Sequence, residues 1–404
     1  MVSNARPKQK VSPRLAKAGV RGFLRGLLRH PVIVSKIVIA RVRTDPIRVA
    51  QAAAEATPPR LRPLIGSVAW PVARKVRRIA GHISMRRARG PLREAKALFD
   101  GGRITEAFET LRPHDRWSFI KRRIAFYEAE VAALKPDPIP PGPKVEIGPR
   151  VENRVLHMVT NALPYTQAGY TVRTHRIVTA QKAAGLDPHV VTSWGWPMLQ
   201  GHTDVEPFEE IDGIPYHRLL PHGEFPRNSY GRLLRGAEDV TALVRELRPR
   251  VLHAATDHRN GNVAMAVRQR TDTPFVYEVR GFLEETWASR DPRRVGTDRH
   301  RMQRECEAHI MRSADAVVTL AETMAAEIVE RGVPRERIFL APNAVDDSLL
   351  TAEYDGPAFR RAFGIADDEV VVGSVSSIVG YEGFGTLLDA AAVLRDRGVP
   401  IRVL

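Results

Sequence analysis

"LPYTQAGYTVRTHR", residues 163–176, follows closely on the apolar run Val155-Leu156-His157-Met158-Val159. The pattern predicts a buried strand that breaks into a turn and restarts as a helix with polar residues at its mouth. In doubly wound folds ligands collect beyond the carboxyl ends of the strands, where the strand order reverses. The first turn of the following helix offers unpaired N–H groups and the positive end of a dipole. At that position Gly169 lets the backbone approach a ligand closely. Thr171 is placed to cap the helix, and Arg173 or His175 to face an anion. A plain turn with a capping threonine is the other reading of the same residues. Neither the three-glycine dinucleotide fingerprint nor a phosphate-loop Gly-Lys-Ser/Thr is present.

Outward from this stretch the chain alternates short apolar strands with helical segments. The strands are "RVLHMVT" (154–160), "PHVVTSW" (188–194), "RVLHAAT" (250–256), "PFVYEV" (274–279), "DAVVTL" (315–320) and "RIFLAP" (337–342). Helices are expected over 171–184, 230–247, 298–312 and 321–332. Such alternation implies an α/β fold with a mostly parallel sheet covered on both faces. Asp212-Gly213 between apolar runs predicts a hairpin or sharp turn. A second series starts after "PNAVD" (342–346): a strand in "EVVVGSVSSIVGYEG" (369–383), a helix over 384–398, and "VPIRVL" (399–404). One such unit is too small for a stable domain, so the expectation is a chain truncated inside its last domain.

The formal charge of +16 over 404 residues is unevenly spread. Residues 1–150 hold 32 Lys and Arg against 11 Asp and Glu, whereas the remainder holds 30 against 35. Residues 1–90 read as a basic, partly helical extension, as in "RLAKAGVRGFLRGLLRH" (14–30). A basic amphipathic helix suits an anionic lipid surface; a weakly ordered basic arm is the alternative. Aromatic residues for stacking on bases are nearly absent there, which argues against nucleic acid. Residues 91–135 predict a helical hairpin around Gly101-Gly102 and a further helix over 117–135. It has the look of one tetratricopeptide-type unit, which needs neighbours to bury its face, so these are docking helices. "PDPIPPGPK" (136–144) opens a stiff linker over 136–150. The single cysteine, Cys306, excludes an intramolecular disulfide framework and fits a reducing cytosol. The best apolar run, residues 30–42, is short and interrupted by Lys36, so no membrane span is expected. The expected location is cytoplasmic, with peripheral contact at the inner face of the membrane.

From about residue 153 to 404 the chain resembles the retaining glycosyltransferases of the GT-B type, family 4. The matching pieces are the stretch from "VLHMVT" to "HVVTSW", "EEIDGIPYHRL", "VLHAATDHRNGNVAMAVRQRTDTPFVYEVRG", "SADAVVTLAETMAAEIVERGVPRERIFLAPNAVD" and "VGSVSSIVGYEGFGTLLDAAAVL". The resemblance implies two Rossmann-like domains facing across a cleft. The first, residues 151–345, mainly binds acceptor, and the second, beginning at 346 and incomplete, mainly binds a nucleotide-sugar. It assigns Gly169, Tyr170 and their flank to the loop that meets the donor phosphates. "VYEVRG" (276–281) falls where relatives carry Val-His-Asp, with Arg280 and Gly281 here in its place. Arg280 and Glu278 are the candidate catalytic residues, and Glu285 is a nearby carboxylate. Asn343 of "PNAVD" is read as bonding local backbone to fix a turn. Where relatives grip the diphosphate with Arg and Lys, this chain has Ser376, Ser377, Tyr381, Glu382 and Gly383. His258 and Asn260, in "HAATDHRNG", read as part of a polar loop lining the cleft; the spacing from His253 makes a poor metal site.

The implied activity is transfer of a sugar from a nucleotide-sugar donor to a glycan or lipid-linked acceptor with retention, in cell-envelope synthesis, with neither metal nor separate cofactor. The alternative is a non-catalytic fragment that binds acceptor or docks on a membrane.

Overall fold

The computed structural model describes residues 29–30, 85–223, 225–345, 347–376 and 382–404. Most of the basic extension, and with it the lipid-surface expectation, lies outside the described residues, as do Ser377 and Tyr381.

Each apolar run of the first series becomes a strand: β1 Arg154–Val159, β2 Asp187–Thr192, β3 Phe208–Ile211, β4 Ile214–Arg218, β5 Val251–Ala255, β6 Phe275–Val279, β7 Ala316–Thr319 and β8 Ile338–Leu340. They form one eight-stranded sheet in the order β3-β4-β2-β1-β5-β6-β7-β8. All neighbours are parallel except β3 and β4, which pair antiparallel through Ile211↔Ile214. Asp212 and Gly213 turn that hairpin with φ of 52° and 73°, the positive values a tight two-residue turn demands. The sequence steps outward from β1 to β2 and β4, then restarts at β5 beside β1 and steps the other way. The reversal therefore falls between β1 and β5, which places a crevice at the carboxyl ends of those two strands.

Side chains alternate across the sheet. Leu156, Met158, Leu252, Ala254, Phe275 and Tyr277 enter the main core. There they meet the buried sides of α5 (Ser229–Leu247), α6 (His258–Thr271) and α8 (Asp298–Ser313). α5 buries Leu233, Ala237, Val240, Val244 and Leu247, the three- and four-residue spacing of one helix face. The opposite face is smaller in its apolar content: Val159, Val190, Ala255 and Tyr216 cluster with Val178 of α4 (Gly169–Ala183).

The docking helices are α1 (Met85–Asp100), α2 (Ile104–Leu111) and α3 (Ser118–Ala132). α1 starts six residues before the expected Pro91. Ala95, Ala107, Leu111, Ile120 and Tyr127 make their private core, and Phe99 stacks on Tyr127 at 3.9 Å. They are tied to the sheet domain at α8, where Asp298 Oδ2 accepts the Thr105 N–H at 2.8 Å and Gly102 O accepts the Arg299 N–H at 3.1 Å. The proline-rich stretch behind them is a strap across the sheet domain. Ile139 and Ile147 are buried in the main core, and Val145 N–H donates to Arg270 O at 2.7 Å.

α9 (Glu322–Glu330) joins β7 to β8. Beyond residue 340 come α10 (Asp347–Thr351) and α11 (Gly356–Phe363), which the sequence reading left unassigned, then β9 (Val370–Val372), α12 (Phe384–Asp396) and β10 (Ile401–Val403). β9 and β10 pair parallel as a separate two-stranded sheet. Among the described residues no helix is long and apolar enough to cross a membrane.

Candidate active site

Three largely apolar strands each carry one polar residue on the face covered by α4: His157 in β1, His253 in β5 and Glu278 in β6. The parallel register sets His157 opposite His253 and Ala255 opposite Glu278. The two imidazoles stack with centroids 4.5 Å apart, and His253 Nε2 lies 3.1 Å from Glu278 Oε2. His157 also bonds Gln181 of α4 at 2.7 Å. Burial and the neighbouring His253 push its pKa down to about 3.

Glu278 has no exposed surface, and two guanidiniums share its carboxylate. Arg173 Nε donates to Oε1 at 3.0 Å and Arg280 Nη2 to Oε2 at 2.6 Å. Burial alone would raise the Glu278 pKa, but the His253 hydrogen bond and the Arg280 charge hold it well below the usual carboxylate range. The guanidiniums then reach outward. Arg280 Nη1 donates to Thr174 Oγ1 at 2.7 Å and to Tyr170 O at 3.0 Å, at the mouth of α4. Arg280 Nε is buried with no partner among the described residues. Arg173 donates to Ala341 O at 2.7 Å, Pro342 O at 3.2 Å and Asn343 Oδ1 at 3.1 Å. Asn343 thus accepts from α4 across the fold, where the sequence suggested a bond to its own turn.

α4 itself begins at Gly169 after Ala168, whose N–H donates to Thr171 Oγ1 at 3.0 Å. Alanine has no side-chain acceptor, so Thr171 supplies the reciprocal half of a cap alone. A Cβ built at Gly169 would meet nothing within 4 Å, so no protein contact requires glycine there. His175 is held by Tyr216 OH and Asp212 Oδ2, each at 2.9 Å, which turns it toward the β3–β4 hairpin and away from the Arg280 cluster.

At the crevice between β1 and β5 the expected polar loop is a helix start. Asp257 Oδ1 accepts the Arg259 N–H at 3.1 Å, capping α6, and the Arg259 guanidinium pairs with the same carboxylate. Asp before a run of ordinary helix-compatible residues was the signal for this. His258 lies beneath the surface, its N–H donating to Glu307 Oε1 at 2.7 Å. Asn260 points along the strand ends instead: its Nδ2 donates to Thr160 Oγ1 at 3.1 Å and Ala255 O at 2.8 Å, and its Oδ1 accepts from Ser193 Oγ at 3.2 Å. Asn260 lines a cavity of about 200 Å3 at the carboxyl ends of β1 and β2. Ser229 lines the same cavity, its N–H and hydroxyl both donating to Glu130 of α3 at 2.7 Å, so the docking helices brace the site.

Of the remaining predicted residues, Glu285 is on the short helix α7 (Leu283–Ala288) and pairs with Arg304 at 3.2 Å. Ser376 and Glu382 are exposed, and Gly383 has φ of 75° just ahead of α12. The polar seam, His157 and His253 included, was legible only as a lone polar residue inside each apolar strand.

Comparison with known proteins bears on this arrangement. Residues 168–344 match the family described as "Glycosyl transferase 4-like domain". Solved structures that resemble the chain include sucrose-phosphate synthase from Thermosynechococcus elongatus, at 14% identity and a TM-score of 0.45, covering 62% of this chain and 70% of that one. A glycosyltransferase from Rickettsia africae ESF-5 is similar at 12% identity and 0.41, covering 61% and 59%. Anabaena Alr3699/HepE in complex with UDP and glucose is similar at 16% identity and 0.44, covering 62% and 59%. The chain thus spans less than two thirds of the latter two. No curated protein matches it.

Proposed function

We propose, from the premise that residues 168–344 are a glycosyl transferase 4-like domain and the chain a glycosyltransferase, that it moves a sugar from a nucleotide-sugar to an acceptor hydroxyl with retention. The observation that carries this reading is the Arg173–Glu278–Arg280 cluster at the mouth of α4. Two guanidiniums against one carboxylate leave a positive charge uncompensated beside the first turn of a helix. That is the electrostatic setting in which a departing diphosphate is stabilised as its charge develops.

Arg280, with its Nε unpartnered and its Nη1 on Tyr170 O, would hold the leaving group. Glu278 positions both arginines and neutralises part of their charge. Same-face attack by the acceptor hydroxyl, its proton passing to the departing phosphate, would preserve the anomeric configuration. A glycan or lipid-linked glycan of the cell envelope is the acceptor in this reading, with the basic segment 1–90 on anionic lipid.

The test is release of nucleoside diphosphate from uridine- and guanosine-diphosphate sugars by the purified chain. Arg280→Gln should lower turnover on the order of 100-fold, the usual cost of one charge-stabilising donor. Equal release by the variant, or none above buffer from the wild type, would sink the reading.

A further inference from the structure

The cavity at the carboxyl ends of β1 and β2 carries an unusual number of orphaned polar atoms. Trp194 Nε1, Trp196 Nε1, Thr192 Oγ1 and Asn161 Oδ1 are all buried without a hydrogen-bond partner among the described residues, and all four residues line this one cavity. Trp194 and Trp196 are only 6% and 4% exposed, and Thr192 1%. An unpaired buried polar atom keeps the desolvation penalty with no bond to offset it, so buried polar groups are normally satisfied. Two indole N–H donors, a hydroxyl and an amide oxygen around one space ask for a ligand rich in hydroxyls. At about 200 Å3 the cavity has room for one ring and not for a longer glycan.

A charge sits on the same wall. Arg232 lines the cavity and pairs with no carboxylate among the described residues; its guanidinium makes only long contacts to Asn228 O at 3.3 Å and Arg227 O at 3.4 Å. Arg259, also on the wall, is already engaged by Asp257 at 2.7 Å. One guanidinium thus keeps free donors beside a set of hydroxyl-seeking groups.

We propose that this cavity is a subsite for an anionic sugar, a pyranose bearing one carboxylate or phosphate, which is the acceptor ring of the reaction proposed above. The indoles and Thr192 bind the ring and Arg232 its anion. The sugar-transfer reading is the premise for the word acceptor; binding itself does not depend on it.

Calorimetric titration of the full chain, without donor, with glucuronate, glucose 6-phosphate, glucose and inorganic phosphate tests this. Glucuronate or glucose 6-phosphate should bind on the order of tenfold tighter than glucose, the worth of one charge-assisted hydrogen bond. Whichever of the two binds tighter identifies the anion, and inorganic phosphate, lacking the ring, should bind more weakly than both. Arg232→Gln, an exposed position, should erase the anionic preference and leave glucose unchanged, while Trp194→Phe should weaken every sugar. Equal affinity for glucose and the anionic sugars, an unaltered preference in Arg232→Gln, or no sugar binding at all would overturn the proposal. Nucleotide-sugar turnover without the anionic preference defeats this inference alone. The preference without turnover defeats the transfer reading alone.

Discussion

Glu278 is a carboxylate with no exposure, made tolerable by two arginines and a histidine. Taking away its charge leaves Arg173 and Arg280 buried against each other. Glu278→Gln should therefore cost about 3–5 kcal/mol, the usual penalty for removing one partner of a buried ion pair, read from urea unfolding. Acid should act on stability through the histidines. His157 is held to about 3 and His217 to about 4, in both cases by burial first and then a neighbouring histidine. Folded pKa values below the ordinary 6.5 mean that the unfolded chain takes up protons the folded chain refuses. Stability should be constant in this respect above pH 6.5 and fall as pH drops toward 4, by up to about 1.4 kcal/mol per pH unit for each histidine. His258 acts in the opposite sense. Burial lowers its pKa, but Asp257 and Glu307 raise it by more, so its contribution is present at low pH and fades as pH rises above 6.5. Unfolding midpoints between pH 7 and 4.5 would check the sign, and His217→Gln should flatten the slope. A midpoint indifferent to that substitution would contradict the burial argument. Cys306, buried with its thiol pushed up to about 12, should resist alkylation in the native state.

At the scale of elements, the helical hairpin depends on one glycine. Gly102 has φ of 89°, and a Cβ there would lie 2.6 Å from Trp287 and 2.5 Å from Thr297. It lets α1 and α2 sit flush on α8. Gly102→Ala should destabilise the chain by about 1–3 kcal/mol through a strained dihedral and a steric clash, seen as a lower denaturation midpoint. A milder effect is expected for Glu130→Ala, which strips the partner from the Ser229 N–H at the start of α5. Its cost should be about 1 kcal/mol. The strands and most helices of the sheet domain were legible because apolar periodicity is a local property. The start of α6 was announced only by its capping Asp257: the rest of "TDHRNGN" (256–262) is equally at home in loops, and the helix forms because Ala264 and Val267 further along are buried. Likewise "PDPIPPGPK" reads as a spacer, yet Ile139 finds the main core, a long-range contact no local pattern announces.

For the whole molecule, Arg173 is the contact to watch, since it ties α4 to residues 341–343 between the last strand of the large sheet and the segment leading to β9. Arg173→Ala should speed amide exchange in that connection and at the first turn of α4 together. Exchange that rises in only one of them would show that they are not coupled. The doubly wound α/β sheet and its antiparallel turn at Asp212-Gly213 followed from the sequence alone, because alternating apolar runs and turn residues are written position by position. The carboxyl-edge crevice followed as well, since strand order in such a sheet dictates it. What only the tertiary structure decided was which polar side chains share that edge. His157, His253 and Glu278 come from strands up to 121 residues apart, and Trp194, Trp196 and Arg232 meet around a cavity that exists only once α5 packs on the sheet. Local periodicity fixes which elements form, but a site is made by contacts distant in sequence, whose energies depend on burial that the chain acquires only on folding.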